Sequence, residues 1–216
     1  MLTYLAEKNA VANLLGKTDG ATANTIRDNA INEVRQFDIA NAFPFSWLER
    51  STSLTTSSAG AVDLPAAFNV THKPKDVRKV TSGSDNDNIF TQVNKEIFDE
   101  YGAGDYVYYI DFNTSTNKWR FNTKELSTTF TIIYYSIPTT LTANTDVDSI
   151  PDLVTIKYLA AARYWLTERN YGNYDRFNDM GLQRLQLLIN KDKKANPQRL
   201  SRSVNNAVNM GWNSSD

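Results

Sequence analysis

The sequence predicts an α+β protein, mainly a helical bundle of two N-terminal and two C-terminal helices, with a small antiparallel β domain inserted between the pairs. Apolar residues recur at helical spacing in residues 1–47 and again in residues 149–194. Residues 48–148 contain short alternating runs separated by Gly, Asn, Asp, Ser and Thr clusters, which is typical of strands. Residues 195–216 carry few large apolar residues and are predicted to form a flexible basic arm.

The N-terminal pair is predicted from its capping and breaking residues. Thr3 is placed to cap the first helix, and Gly16 ends it because glycine adopts the left-handed conformation easily. A second helix follows Gly20 and stops before Pro44, which disfavours helical geometry at Phe43. The apolar positions of this second helix are Ile26, Ala30, Val34 and Phe37.

The β domain begins where the period changes at Leu48. A strand from Leu48, a turn at residues 57–60 and a second run ending at Pro65 predict a hairpin. Further strands are predicted to start at Val77, Asn88, Tyr106, Lys118 and Thr128, with a short helix from Asn94. Strands at this spacing predict a small antiparallel sheet, barrel or sandwich.

The C-terminal pair contains the most apolar helix of the chain. Ser149 is placed to cap it and Pro151 to occupy its first turn, and the chain is predicted to reverse at Gly172. Because this helix is apolar nearly all round, it needs cover either inside a large core or from a neighbouring copy. The residues predicted to form the helix core or subunit interface are Leu153, Val154, Tyr158, Ala161 and Trp165.

Composition narrows the function classes. The 216 residues carry 23 Lys and Arg against 24 Asp and Glu, a formal charge of −1, so the whole chain lacks the electrostatic signature of a nucleic-acid or membrane binder. The absence of cysteine excludes cysteine-ligated zinc, thiol catalysis and disulfides. The N-terminus lacks the pattern of a signal peptide, and the apolar runs are far shorter than a membrane span, which together predict a soluble protein.

No motif predicts an enzyme, a metal site or a cofactor. His72 is the only histidine, and a metal site needs several convergent ligands. The segment from Asp85 to Asn88 begins like a calcium loop but has Phe90 where a glycine is required. Gly102 and Gly104 lack the third glycine of a dinucleotide site.

Two other function classes remain open on the residues alone. Glu96, Asp99 and Glu100 are spaced to lie on one helix face, an arrangement of carboxylates that would suit a cell-wall glycosidase, although a solvated face explains them more simply. Tyr106 and Tyr108 share one face of a strand and would suit a carbohydrate-binding or receptor-binding module of a virion, although cross-strand packing is the simpler explanation.

Four features recur in a fixed order along the chain: Trp47 after the aromatic stop, Leu64-Pro65 before Phe68, Tyr134-Tyr135 before Pro138, and Ile150-Pro151 opening an alanine-rich helix with Tyr164-Trp165. Together with the order of the helical and β segments, they resemble the head-to-tail connector adaptor proteins of tailed bacteriophages over most of the chain, to about Lys194. The resemblance rests on order and spacing and not on a catalytic signature.

The resemblance implies a structural virion protein of the neck, made in the bacterial host cytoplasm. Such a protein is expected to form a ring of about twelve subunits beneath the portal, to extend the DNA channel without binding specific sequences, and to meet a downstream tail protein. The arm residues expected to anchor the portal are Arg199, Arg202 and Trp212. The acids that are candidates to line the channel, with a solvated surface as the alternative, are Glu96, Asp99, Glu100, Asp105 and Asp111.

Overall fold

The computed structural model describes residues 2–16, 20–80 and 89–196, and it is an α+β structure. These described residues contain five α-helices and two β-sheets. They divide into two compact units. The helical unit takes its residues from Met1–Ile39, Phe45–Trp47 and Thr140–Asp216, and the β unit takes its residues from Ala40–Pro44 and Leu48–Thr139.

The α-helices are α1 (Tyr4–Leu15), α2 (Ala21–Glu33), the three-residue α3 (Ala40–Ala42), α4 (Leu153–Thr167) and α5 (Tyr171–Ala195). A π-helix, Val34–Ile39, continues α2, and the two 3₁₀ helices are Ser46–Leu48 and Lys95–Glu100.

The predicted caps of α1 are confirmed, whereas those of the C-terminal pair are displaced. Thr3 accepts a hydrogen bond from the Ala6 N–H at 3.4 Å, and Gly16 ends the helix with φ of 63°. The cap of α4 is Asp152 rather than Ser149, since the Asp152 carboxylate accepts the Val154 N–H. Likewise α5 begins at Tyr171, before Gly172, because the Asn170 side chain caps it.

The second N-terminal helix changes its winding after Glu33. The widened π-helical turn rotates the following residues off the face that a 3.6-residue period predicts. Val34 is fully buried, but Phe37 is 54% exposed, so the prediction that Phe37 shares the apolar face of this helix is wrong.

In the helical unit, α4 is the central helix. It packs against α1, α2 and α5 and against the π-helix. Helix α5 comes close to α4 at Gly181, where an added Cβ would lie 3.2 Å from the Leu159 backbone nitrogen and closer still to the Leu159 side chain. A helix apolar nearly all round is therefore covered on several sides by its own unit.

The β unit contains seven strands in two sheets among the residues that the structure describes. Their bounds are β1 Glu49–Thr55, β2 Ala61–Asp63, β3 Asp76–Lys79, β4 Thr91–Gln92, β5 Val107–Asn113, β6 Lys118–Thr123 and β7 Thr129–Tyr135. One sheet has the order β1-β7-β3 and the other has the order β2-β6-β5-β4.

The predicted hairpin between the first two strands is wrong. Strand β1 pairs antiparallel with β7, and β2 pairs with β6, so the two runs belong to different sheets. The turn forms where expected, with the Ser57 N–H donating to the Ala61 carbonyl. It leads the chain from one sheet to the other instead of closing a hairpin. Gly60 (φ 72°) accepts the Thr123 N–H there, and any side chain at Gly60 would run into the Thr123 carbonyl.

The sheets are also not purely antiparallel, because β4 runs parallel to β5. They share an apolar core to which both sheets contribute, and Trp119, Val62, Leu54 and Ile110 pack against it. The buried members of this core are Leu64, Phe68, Val77, Phe90, Tyr108, Phe121, Phe130, Ile132 and Tyr134. No helix among the described residues is long and apolar enough to cross a membrane.

Candidate functional site

The predicted interface residues of α4 fall into two classes of burial. Ala161 is fully buried, which places it in the packing of the helical unit. Leu153, Val154, Tyr158 and Trp165 are half-buried. In a helix, residues 154, 158, 161 and 165 lie along one stripe, so the half-buried residues flank a buried alanine. We call Val154, Tyr158 and Trp165 the α4 stripe.

The far side of α4 is tied to the end of the second helix by ion pairs. The Arg163 guanidinium donates to Asp38 at 2.6 and 2.7 Å and to Glu33 at 2.8 Å. The hydrogen bond to Asp38 is the main reason that the pKa of Arg163 is raised. Because Asp38 belongs to the π-helix, this pairing fixes the orientation of that segment against α4.

A buried ionic cluster joins three segments of the helical unit. Nη2 of Arg35, in the π-helix, donates to Oδ1 of Asp148 at 2.6 Å, and the two side chains are 1% and 0% exposed. Glu7 of α1 is fully buried beside them. Asp148 Oδ1 also accepts the Ile150 N–H at 3.1 Å, and Nη1 of Arg35 donates to Asn32 at 3.0 Å. The cluster therefore anchors the loop that leads into α4.

Glu7 is held in its neutral form by this environment. Burial first, and then the negative charge of Asp148 and a hydrogen bond to it, raise the pKa of Glu7 to about 9, against a smaller opposing effect of Arg35. Neither Glu7 oxygen accepts a hydrogen bond within the described residues, so an ionised carboxylate would be unsatisfied. A protonated Glu7 can instead donate to Asp148.

A groove of about 390 Å³ lies beside the last three turns of α5. Its apolar lining includes Trp47, Pro151 and Leu188, and its charged lining includes Arg184 and Lys191. We call it the α5 groove.

The floor of the α5 groove is fixed by contacts within the helical unit. Trp47 stacks on the fully buried Phe45 with 4.1 Å between ring centroids. Asp192, which is 4% exposed, accepts hydrogen bonds from the Ser46 N–H at 3.3 Å and the Ser46 hydroxyl at 2.5 Å. These contacts hold residues 45–47 against α5.

The predicted channel acids differ in their contacts and exposure. Asp111 accepts two hydrogen bonds from Arg120, which are the main reason that its pKa is lowered, and Asp99 pairs with Lys124 at 3.1 Å. Glu96, Glu100 and Asp105 are exposed, and Asp105 also accepts the Gly102 N–H at 2.6 Å. Because Glu96 and Glu100 are exposed, neither has the apolar surroundings that a catalytic acid needs.

The tyrosine-rich strand contributes to the core rather than to a platform. Tyr108 is 3% exposed, and its ring centroid lies 5.1 Å from that of Phe121. Burial raises the pKa of Tyr108. Tyr106 precedes the strand, since its φ of 52° interrupts extended geometry, and its ring meets Phe90 edge-on. His72 is half-buried with Nε2 at 2.8 Å from the Ala40 carbonyl, and burial lowers its pKa.

Several predictions fall on parts of the chain that the structure does not describe. Arg199, Arg202 and Trp212 of the arm, and the segment 85–88 weighed as a calcium loop, lie outside the described residues.

The buried ionic cluster and the α5 groove are the features that sequence reasoning missed. Glu7 is visible only as an acid within an apolar pattern, and Arg35 and Asp148 are 113 positions apart. An acid inside an apolar helix stripe is the one sequence signal that could have pointed to the cluster.

The described residues define an α+β protein with a central helix, a buried ionic cluster and a groove beside the end of α5. A family model described as the SU10 adaptor protein matches residues 2–208, and the chain belongs to this family. This match confirms the resemblance to phage adaptor proteins drawn from the order of the sequence segments. Among curated protein sequences, no relative matches the chain.

Proposed function

We propose that the chain is a structural virion protein that joins head to tail in a tailed bacteriophage. In this proposal, about twelve copies form a ring beneath the portal in the neck, extend the DNA channel and present a platform to a downstream tail protein. The observation that carries the proposal is the adaptor family match over residues 2–208. An adaptor acts by binding its neighbours, so no catalysis, cofactor or sequence-specific DNA contact is part of the proposed role.

The α4 stripe supports self-assembly. Its own unit covers most of α4, yet Val154, Tyr158 and Trp165 stay half-buried, and Leu166 on the same helix is 45% exposed. Aromatic residues that become buried between subunits often dominate binding energy. We therefore assign Ala161 to the core, and Leu153 and the α4 stripe to the contact with a neighbouring subunit.

A pair of substitutions tests this assignment. Val154→Asp places a charge in the α4 stripe and is expected to reduce ring assembly at least ten-fold, because a buried unpaired charge is costly. Thr167→Asp introduces the same charged side chain at an exposed position on another face of α4 and is expected to leave assembly unchanged. Light scattering after size exclusion measures assembly, and circular dichroism checks folding. Equal assembly by both variants would contradict the assignment of the stripe.

The arm is proposed to bind the portal through Arg199, Arg202 and Trp212. A chain lacking residues 196–216 is expected to fold, because α5 ends at Ala195, and to lose portal binding in a pull-down with a purified portal ring. Retained binding by the truncated chain would overturn the role of the arm.

A further inference from the structure

The α5 groove lies where the chain leaves its last helix. Ala195 is the final residue of α5 and also lines the groove, and Asn196 follows it as the C-cap. Residues 197–216 are therefore tethered at the edge of the groove.

The groove offers apolar surface with balanced charge. Leu188 is 7% exposed at the floor, whereas Leu187, which also lines the groove, is 58% exposed. Removing apolar side-chain surface from water stabilises a complex, so an occupant gains most by covering Leu187. The charged lining consists of two bases, Arg184 and Lys191, and two acids, Asp152 and Asp192. This balance favours an occupant that brings apolar side chains rather than net charge.

The tethered segment has the matching composition. It carries apolar side chains at every fourth position, with small or polar residues filling most of the positions between them. A four-residue interval is one that can present side chains along a single face. The four residues are Leu200, Val204, Val208 and Trp212.

Reach and tethering also favour this occupant. The groove extends along α5 from Arg184 to Ala195, about 17 Å at 1.5 Å per residue. A random coil as long as the segment from Ala195 to Trp212 has an average end-to-end distance of about 20–25 Å, which covers the length of the groove. A short tether gives an effective concentration of the order of millimolar, so even weak contacts would keep the segment bound.

We propose that the α5 groove is the docking site of this chain's own residues 197–216, bound in cis in the free subunit. The apolar side chains of the segment cover Leu187 and the groove floor, and Trp212 is the largest of them. The inference goes beyond the proposed function because it concerns the subunit before any partner is bound. Its failure would leave the adaptor proposal standing, and failure of the ring would leave the docking intact.

Limited trypsin digestion of the full chain tests the docking. Cleavage after Arg199 and Arg202 is followed by intact mass, with digestion at other sites counted separately. Leu187→Asp is expected to speed these two cleavages at least ten-fold, because docked residues resist a protease that needs an extended substrate. Leu182→Asp is the matched control, since Leu182 is 50% exposed on the same helix but does not line the groove. Trypsin is expected to cleave the control variant after Arg199 and Arg202 at the wild-type rate.

A second variant covers the case in which Leu187→Asp disturbs the helix. Trp212→Ser alters only the tethered segment and is expected to speed the same cleavages with an unchanged thermal melt. Equal cleavage rates in wild type, Leu187→Asp and Trp212→Ser would overturn the proposal. Protection that disappears on hundred-fold dilution would also overturn it, because the occupant would then be the segment of a second copy.

Discussion

Nη2 of Arg35 lies 2.6 Å from Oδ1 of Asp148, and neither side chain is more than 1% exposed. The pair joins the π-helix to the loop before α4. Asp148 also accepts a hydrogen bond from the Ile150 N–H, which holds the next part of that loop. A charge pair withdrawn from water is costly to break, because removing one partner leaves the other charge buried. This long-range ionic contact therefore helps to hold the loop that leads into the central helix.

Replacing Asp148 by asparagine is expected to destabilise the protein by about 3–5 kcal/mol, because Arg35 would keep its charge without its carboxylate. Urea unfolding followed by circular dichroism measures the loss. Asp179→Asn, at an exposed position of α5, is the control and is expected to change the free energy of unfolding by less than about 0.5 kcal/mol. A loss below 1 kcal/mol for Asp148→Asn would contradict the structural role of the pair.

Glu7 predicts a loss of stability with rising pH. Its pKa is raised from 4.5 to about 9 in the folded state, so the folded chain holds a proton that the unfolded chain releases above pH 4.5. The stabilising contribution is complete below pH 4.5 and declines as pH rises towards 9, by about 1.4 kcal/mol per pH unit. Unfolding measured between pH 5 and pH 9 checks this slope.

Glu7→Gln should remove that pH dependence. The amide cannot ionise but can still donate to Asp148, so the variant is expected to match wild type near pH 5 and to exceed its stability near pH 8. Glu96→Gln, at an exposed acid of the β unit, is the control and is expected to retain the wild-type slope. The same slope in Glu7→Gln and wild type would refute the assignment of the proton to Glu7.

Replacing glycine by alanine is expected to have opposite effects on stability at Gly181 and Gly172, which both lie in α5. A Cβ at Gly181 would press on Leu159, so Gly181→Ala is expected to cost about 1–3 kcal/mol through overpacking. A Cβ at Gly172 would meet nothing within 4 Å, so Gly172→Ala is expected to stabilise by up to about 1 kcal/mol. Thermal unfolding of the two variants distinguishes them, and a stabilised Gly181→Ala would contradict the close approach of α4 and α5.

Exposed acids of the β unit are the remaining candidates to repel DNA in a channel. Reversing charge at Glu96 and Glu100 is expected to slow DNA ejection from assembled particles, with the delay shrinking at high salt as the added attraction is screened. The control is Lys73→Glu, which reverses one exposed charge of opposite sign. Ejection at the wild-type rate in the double variant would indicate a solvated surface that does not face DNA.

Local signals in the sequence predicted much of the secondary structure. Thr3 and Gly16 determine the limits of α1 through their own hydrogen bond and backbone conformation, so neighbouring residues were enough to find them. Alternation places Tyr108 and Ile110 on one face of their strand, and in the structure Tyr108 lies in the core while Ile110 packs against it. Such features depend on contacts within a few residues.

Long-range pairing was not predictable in the same way. The turn at Gly60 is visible locally, but Glu49 pairs with Tyr135 and Ala61 with Asn122, and nothing near Gly60 identifies those partners. The shift to a π-helix after Glu33 also left Phe37 on the wrong face, because helical periodicity assumes a constant winding. The α5 groove likewise depends on how residues 45–47 meet α5.

The most direct measurement of the central proposal is native mass spectrometry of the purified chain, alone and mixed with a purified portal ring. We expect one mixed species whose mass equals the portal ring plus about twelve subunits. The Val154→Asp variant, once circular dichroism has shown that it is folded, should give portal rings that carry fewer subunits. Only unliganded portal rings and free subunits in the wild-type mixture would contradict the adaptor ring.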